Sequence, residues 1–312
     1  MREVARAAEV SLATVSRVIN GSGEVHPELV KRVSDAIDLL GYRHNATAST
    51  LRRSDRQSAS IGLIIEDVSN PFFAAVHRGV EDVARVHRVL TFVGSSDEDE
   101  ARERELAEAF AARGVDGLVV VPCAGDQSYL LRDQQSGIAL VFVDRPPHFL
   151  RGDTVTSDNR AGARTATQQL IAAAAIQRTP TLERLGLTSS EPARQATIEL
   201  LSGPTPPTAL FTGQNLITIG AILALRELGR QRVIALAGFD DIVLGEIVEP
   251  GITVVAQDPY ALGRHAGELL FRRLRGEASD PTTVVVPTRL IARGSGEIRP
   301  PHAQPARARS RR

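Results

Sequence analysis

The sequence predicts a two-part chain: a small all-α unit at the N-terminus, then an α/β body of two doubly wound parallel-sheet subdomains. Two observations carry this. Residues 1–41 hold three short runs with apolar residues at helical spacing. From residue 60 onward, short β-rich runs that are apolar on both faces alternate with helical stretches, as parallel strands covered by helices do.

The most informative run is VSLATVSRVIN, residues 10–20. Ser11 suits an N-cap, because its hydroxyl can accept a backbone N–H left free by the first turn. Val15, Val18 and Ile19 fall at i, i+3 and i+4 and form one apolar stripe. The other face carries Leu12, Ala13, Thr14, Ser16, Arg17 and Asn20, which is the chemistry that reads base edges and phosphates. Taken alone, the run fits an amphipathic surface helix equally well. A third helix follows in VHPELVKRVSDAIDLLGY: Pro27 suits its first turn, Leu29, Val33, Ile37 and Leu40 repeat at helical spacing, and Gly41 ends it. A polar stretch, HNATASTLRRSDRQ, then separates this unit from the body.

In the body, strands are expected at 61–65, 89–94, 117–121 and 138–144, and again at 208–213, 232–240, 253–258 and 283–287. Helices are expected between them, including 215–229 and 259–275. In doubly wound sheets, ligands sit beyond the carboxyl ends of the strands. Those ends carry Glu66 and Asp67, Ser95 to Asp97, Asp144 and Arg145, Gln214 and Asn215, Asp240 and Asp241, and Gln257 and Asp258. Such a rim suits a polyhydroxylated ligand, and Phe72 and Phe73 could stack on a sugar face. The same residues admit plainer roles: Asp97, Asn215 and Asp258 stand where N-caps would, and both phenylalanines suit a core.

Composition fits this picture. Hydrophobic residues make up 42% and charged residues 24% of 312, ordinary for a globular chain. No apolar run reaches the eighteen or so residues a membrane helix needs, and MREVARAAEV lacks the apolar core of a signal peptide, so a cytoplasmic protein is expected. A lone cysteine, Cys123, excludes an internal disulfide and a cysteine-cluster metal site. Net charge is zero, yet residues 1–57 hold nine Arg/Lys against seven Asp/Glu, and six of the nine cations lie between Lys31 and Arg56. That local excess can attract phosphates. No Gly-x-Ser-x-Gly elbow, phosphate loop or metal-ligand spacing is present and the histidines are scattered, so no enzyme, cofactor or metal is expected.

VARAAEVSLATVSRVIN, LLGYRHNATASTLR, IGLIIEDVSNPFF and GFDDI, in this order and spacing, resemble the lactose-repressor (LacI/GalR) family of bacterial transcription regulators over nearly the whole chain. The resemblance implies a headpiece over 1–45 and a hinge over 46–58. It implies a type I periplasmic-binding-protein-like body over 59–296, with one subdomain at about 59–160 and 258–283 and the other at about 161–257 and 284–296. The basic Pro/Ala/Arg tail over 297–312 is expected to be disordered. Leu12, Ala13 and Arg17 would reach bases, and Ser11, Thr14, Ser16, Asn20 and Tyr42 mostly phosphates, with His26 on the same DNA-binding face. Asn45 to Leu51, Ala48 included, would form a hinge helix in the minor groove, with Leu51 wedged between base steps. Phe72, Phe73, Ser95, Asp97, Asp144, Arg145, Asp158, Gln214, Asp240 and Gln257 would contact a small-molecule effector, a sugar or a similar metabolite. The partners implied are a pseudo-palindromic operator and a second copy of the chain.

The chain departs from the family's pattern in three respects. Met1 opens directly onto helix 1, without the capping threonine that family members carry. Glu9 stands where the turn normally has glycine, and His44 where a proline stiffens the approach to the hinge. Between Asn159 and Thr208, roughly forty residues are expected to be missing, including a strand of the second sheet and a ligand-binding arginine. A sheet that lacks a strand leaves backbone groups and apolar helix faces exposed, and weak or absent sugar binding is the expected result. The alternatives are thus a degenerate member without effector response, or a sugar-binding module with no DNA role.

Overall fold

In a computed structural model of the chain, residues 1–20, 25–41, 58–174 and 180–299 are described. The chain forms two units, Met1–Ser58 and Ala59–Arg312.

The first unit holds α1 (Arg2–Ala7), α2 (Leu12–Asn20) and α3 (Pro27–Leu40). Val4, Ala8, Val15, Val33 and Ala36 form its core, with Val18, Ile19 and Ile37 packed at the edge. Pro27 opens α3 and Gly41 closes it at φ 55°, a left-handed position that glycine adopts without strain. Leu40, expected on the apolar face, is 45% exposed, and Ala36 is buried instead. At 14 residues, α3 outruns the six of α1 and the nine of α2, so among the described residues its last turn extends past the core they share. Met1 stands at the N-cap of α1 with no side-chain capping bond. Glu9 turns the chain between α1 and α2 at φ 50°, the conformation its place in the turn led us to expect.

The second unit contains β1 (Ser60–Ile65), α4 (Pro71–Val86), β2 (Leu90–Ser95), α5 (Glu100–Ala112), β3 (Gly117–Val120), α6 (Leu131–Gln135), β4 (Ala139–Asp144), β5 (Asp153–Ser157) and α7 (Asn159–Ala174). It continues with α8 (Ser190–Ser202), β6 (Ala209–Thr212), α9 (Asn215–Glu227), β7 (Ala235–Phe239), β8 (Thr253–Ala256), α10 (Pro259–Leu274), β9 (Thr283–Val286) and β10 (Arg289–Ile291). One sheet has the order β2-β1-β3-β4-β5-β9, every pair parallel. The other runs β10-β8-β7-β6, parallel except where β10 joins β8.

All eight expected strands form. β5 and β10 were not foreseen, because DTVTS and RLI are short and β5 is mostly polar. Buried Asp153 in β5 is held by Arg273, whose Nε and Nη2 donate to its carboxylate at 2.6 and 2.9 Å. β9 pairs with β5 in the first sheet, so the expected subdomain boundary at 283/284 moves beyond Val286. Helices α4 and α10 cross at Gly79 and Gly263, where an added Cβ would strike the opposite backbone.

No strand occurs among the described residues between α7 and β6. Among the described residues β6 pairs only with β7 and stands at the edge of the second sheet. Beside that edge lies an apolar groove of about 820 Å³, lined by Leu170, Ile171, Leu185, Leu200, Pro206 and Phe211 among others. This is the exposure that a missing strand was expected to leave.

Candidate functional site

The carboxyl ends of strands from both sheets converge on a cavity of about 450 Å³. The first sheet contributes Glu66, just past β1, and Asp144 and Arg145 from the end of β4. The second contributes Gln214 before α9, Asp240 after β7 and Gln257 after β8. Asn70 caps α4 by accepting the Phe72 N–H at 3.0 Å, which sets the start of that helix against the cavity. Phe72 and Phe73, edge to face with centroids 5.1 Å apart, are buried core residues that also line the cavity. Asp144 at φ 74° and Asp240 at φ 67° both hold left-handed backbone, strain of a kind that clusters at ligand sites.

Arg145 is the hub of the charge network. Its Nη1 donates to Glu98 Oε1 at 2.7 Å, its Nη2 to Glu66 Oε2 at 3.0 Å and its Nε to Asp144 Oδ2 at 3.3 Å. One guanidinium does not neutralise three carboxylates. Burial, reinforced by Glu98, pushes the Glu66 carboxyl up to about 7 despite Arg145. Burial would raise Glu98 as well, but its bonds from Arg145 and Glu66 outweigh that and hold it below the ordinary value. Asp144 is raised by burial, with Arg145 opposing. Asp240 is pushed up to about 6, chiefly by burial and further by Asp144, although Gln257 Nε2 donates to it at 2.6 Å and the Asn215 N–H at 3.3 Å.

Seven of the ten residues predicted to contact effector line the cavity: Phe72, Phe73, Asp144, Arg145, Gln214, Asp240 and Gln257. The other three do not. Ser95 Oγ accepts the Val68 N–H at 3.0 Å and serves the loop after β1. Asp97 is turned away onto Arg102. Asp158 accepts the Ala161 N–H at 3.1 Å and caps α7. Sequence reasoning missed Glu98, because left-handed backbone at Asp97 and Glu98 (φ 53° and 58°) reverses which of the two faces inward. It also passed over Asn70, Asn159 and the wall residues Leu187, Thr188 and Phe211. Leu187 and Thr188 belong to the shortened segment, and nothing in its composition marked them as cavity lining.

In the first unit, Ser11 Oγ accepts the Thr14 N–H at 3.0 Å and contacts Thr14 Oγ1 at 2.9 Å, so the predicted N-cap of α2 forms. Ser11, Leu12, Ala13 and Arg17 are exposed on one side of α2, while Val15 is buried on the other. Thr14 and Ser16 are half-buried, and His26 is exposed at the start of α3. Asn20 closes α2. Tyr42, Asn45, Ala48 and Leu51 lie outside the described residues.

A helix-turn-helix unit with an exposed arginine face, joined in one chain to a two-lobed α/β body with a polar cleft at its strand ends, defines the class of ligand-responsive DNA-binding proteins. Residues 1–45 match the profile of bacterial regulatory proteins of the lacI family. Residues 138–296 match a periplasmic binding protein-like domain and residues 61–175 a periplasmic binding protein domain. The chain is 30% identical to the HTH-type transcriptional regulator KdgR of Bacillus subtilis (strain 168), over 95% of this chain and 97% of that one. It is 33% identical to the regulator PtxS of Pseudomonas putida, over 94% of each. The alignment with KdgR spans 330 positions, more than 95% of 312 residues can fill, so gaps fall in this chain, as an internal shortening requires. A transcriptional regulator CelR–cellobiose complex superposes with TM-score 0.67 at 27% identity over 94% of this chain and 98% of that one. The lac repressor dimer bound to operator and the anti-inducer ONPF shares the fold, with TM-score 0.81 at 22% identity over 94% and 97%. The chain belongs to the lacI family of bacterial transcriptional regulators.

Proposed function

We propose that this chain is an effector-responsive repressor that binds a pseudo-palindromic operator as a homodimer, one headpiece per half-site. Residues 1–45 form the headpiece and 46–58 the hinge. Leu12, Ala13 and Arg17 face bases, and the cleft around Arg145 and Asp240 takes a sugar or a related small metabolite. Effector shifts the equilibrium between two body conformations by its differential affinity for them. The protein has no enzymatic role and works in the cytoplasm, where its operator is.

The observation that carries this reading is the presence in one chain of an exposed Arg17 face on α2 and a cavity lined from both sheets. The relatives agree in kind: they include the ribose operon repressor of Halalkalibacterium halodurans, 30% identical over 94% of this chain and 96% of that one. The cavity favours a working effector site over the degenerate alternative, since Leu187 and Thr188 of the shortened segment help to wall it.

A gel shift on the DNA upstream of this protein's own gene tests the reading. Arg17→Ala is expected to abolish specific binding, since a base-reading arginine is worth about 1–3 kcal/mol per half-site and a dimer has two. The circular dichroism of the body is expected to stay unchanged. Wild-type affinity in the variant would remove α2 from DNA reading.

A further inference from the structure

Resting on the reading of the cleft as an effector site, we infer that the effector is a positively charged polyhydroxylated amine, such as an amino sugar, and that acidic sugars are excluded. The cavity's ionisable lining consists of four carboxylates, Glu66, Glu98, Asp144 and Asp240, against one guanidinium, Arg145. That guanidinium is already committed to three of the four, at 2.7, 3.0 and 3.3 Å. Asp240 is 6% exposed, and among the described residues its carboxylate is met by the Gln257 amide and the Asn215 backbone N–H and not by a cation.

An independent observation points the same way. The amide oxygens of Gln214 and Gln257 both belong to cavity-lining residues, are buried, and have no hydrogen-bond partner among the described residues. The orientation of Gln257 is fixed, because its Nε2 donates to Asp240 at 2.6 Å. Its oxygen is therefore an unspent acceptor. Even with Glu66 sharing a proton with Glu98, three carboxylates, Glu98, Asp144 and Asp240, stand against one guanidinium, and with the two amide oxygens they ask for donors. An ammonium group brings three donors and a positive charge, and sugar hydroxyls supply further donors. A carboxylate or phosphate ligand would bring acceptors to acceptors and add negative charge beside Asp144 and Asp240, a like-charge contact in a partly dry site. The strained backbone at Asp144 and Asp240 places these two carboxylates at the ends of strands from opposite sheets, so one cation between them would draw on both lobes.

Three hexopyranose probes of similar size separate charge from shape: glucosamine, glucose and glucuronate. Isothermal titration of the full-length protein at pH 7.5 is expected to give glucosamine at least about tenfold tighter than glucose, a difference of about 1.4 kcal/mol, and no binding of glucuronate. Asp240→Asn, which keeps the side-chain shape, is expected to bring glucosamine down to the level of glucose. Glu98→Gln, at a site away from Asp240, provides a second variant with the same expected direction. Glucose or glucuronate binding as tightly as glucosamine would overturn the charge preference while leaving the cleft an effector site. Silence from all three probes at tens of millimolar would overturn both.

Discussion

The side chains of Asn70 and Asn215, 145 positions apart, hydrogen-bond each other: Asn215 Nδ2 donates to Asn70 Oδ1 at 2.7 Å, and Asn70 Nδ2 to Asn215 Oδ1 at 3.4 Å. Asn70 follows the first strand of the six-stranded sheet and Asn215 opens the helix after β6 of the four-stranded sheet, so the pair ties the two lobes beside the cleft. Both residues are buried, at 2% and 3% exposure. Removing one leaves its partner with unmet amide groups, a cost of about 1–3 kcal/mol. Asn70→Ala and Asn215→Ala are each expected to lower the Tm of the body. The double variant is expected to lose less than the sum, by about 0.5–3 kcal/mol. Strictly additive losses in a denaturation cycle would show that the pair does not act as one unit.

Glu9 carries a strain that a single substitution can relieve. Its φ of 50° costs a residue with a Cβ roughly 1–2 kcal/mol. Its carboxylate meets Arg32 at 3.3 Å, but the pair is exposed, and such pairs contribute only about 0–1 kcal/mol. Glu9→Gly is therefore expected to stabilise the headpiece by about 1 kcal/mol. Slower amide exchange at Val15 and Val33 of its core is the measurement that checks it. Unchanged or faster exchange there would mean that the Arg32 pair outweighs the strain.

The cleft carboxylates give stability a definite pH slope. Glu66 at about 7 and Asp240 at about 6 both stand above their ordinary values, so the folded protein binds more protons than the unfolded chain between about pH 4 and 7. Stability from these groups is thus present in acid and is lost as pH rises through that window. Asp153 works in the opposite sense. Burial opposes its ionisation, but the Arg273 bonds outweigh that and hold it below the ordinary value, so its contribution is lost as pH falls. Glu66→Gln is expected to match wild type at pH 5 and to exceed its Tm at pH 8. Equal Tm at both pH values would mean that Glu66 ionises freely in the folded state.

Much of this was legible in the residues, and the misses have physical reasons. Strands that are apolar on both faces announce themselves, which is why Ile61–Ile65 and Val141–Val143 were placed. β5 was missed because its buried acidic residue, Asp153, is satisfied by Arg273, 120 positions away, and no local pattern encodes that partner. Glu103 is a similar case: it is 1% exposed and accepts from Tyr129 at 2.7 Å and from the Cys123 N–H, a buried network formed only by tertiary contact. At the cleft, the strand ends named the right loops, and Gln257 was placed correctly, but after β2 the loop conformation chose Glu98 over Asp97. Asp258, which stands where an N-cap would, is the N-cap of α10 and accepts the Ala261 N–H at 2.9 Å.

The open edge of β6 has a consequence in solution. Leu170, Ile171, Leu185 and Leu200 line a groove beside a strand whose outer backbone groups have no strand partner among the described residues. Exposed apolar edges recruit other chains. Pro206 and Pro207, just before the strand, remove two donors and shorten the pairing surface that would propagate, but they leave the groove itself apolar. Ile171 is 45% exposed on α7, so replacing it sacrifices little packing. Ile171→Lys is expected to leave Tm within about 0.5 kcal/mol of wild type, as ordinary surface changes do. It is also expected to weaken the binding of an apolar dye such as anilinonaphthalene sulfonate and to raise the temperature at which aggregation begins. Dye binding and aggregation onset both unchanged would mean that the groove is already closed in solution, with the shortened segment covering the edge that the missing strand left behind.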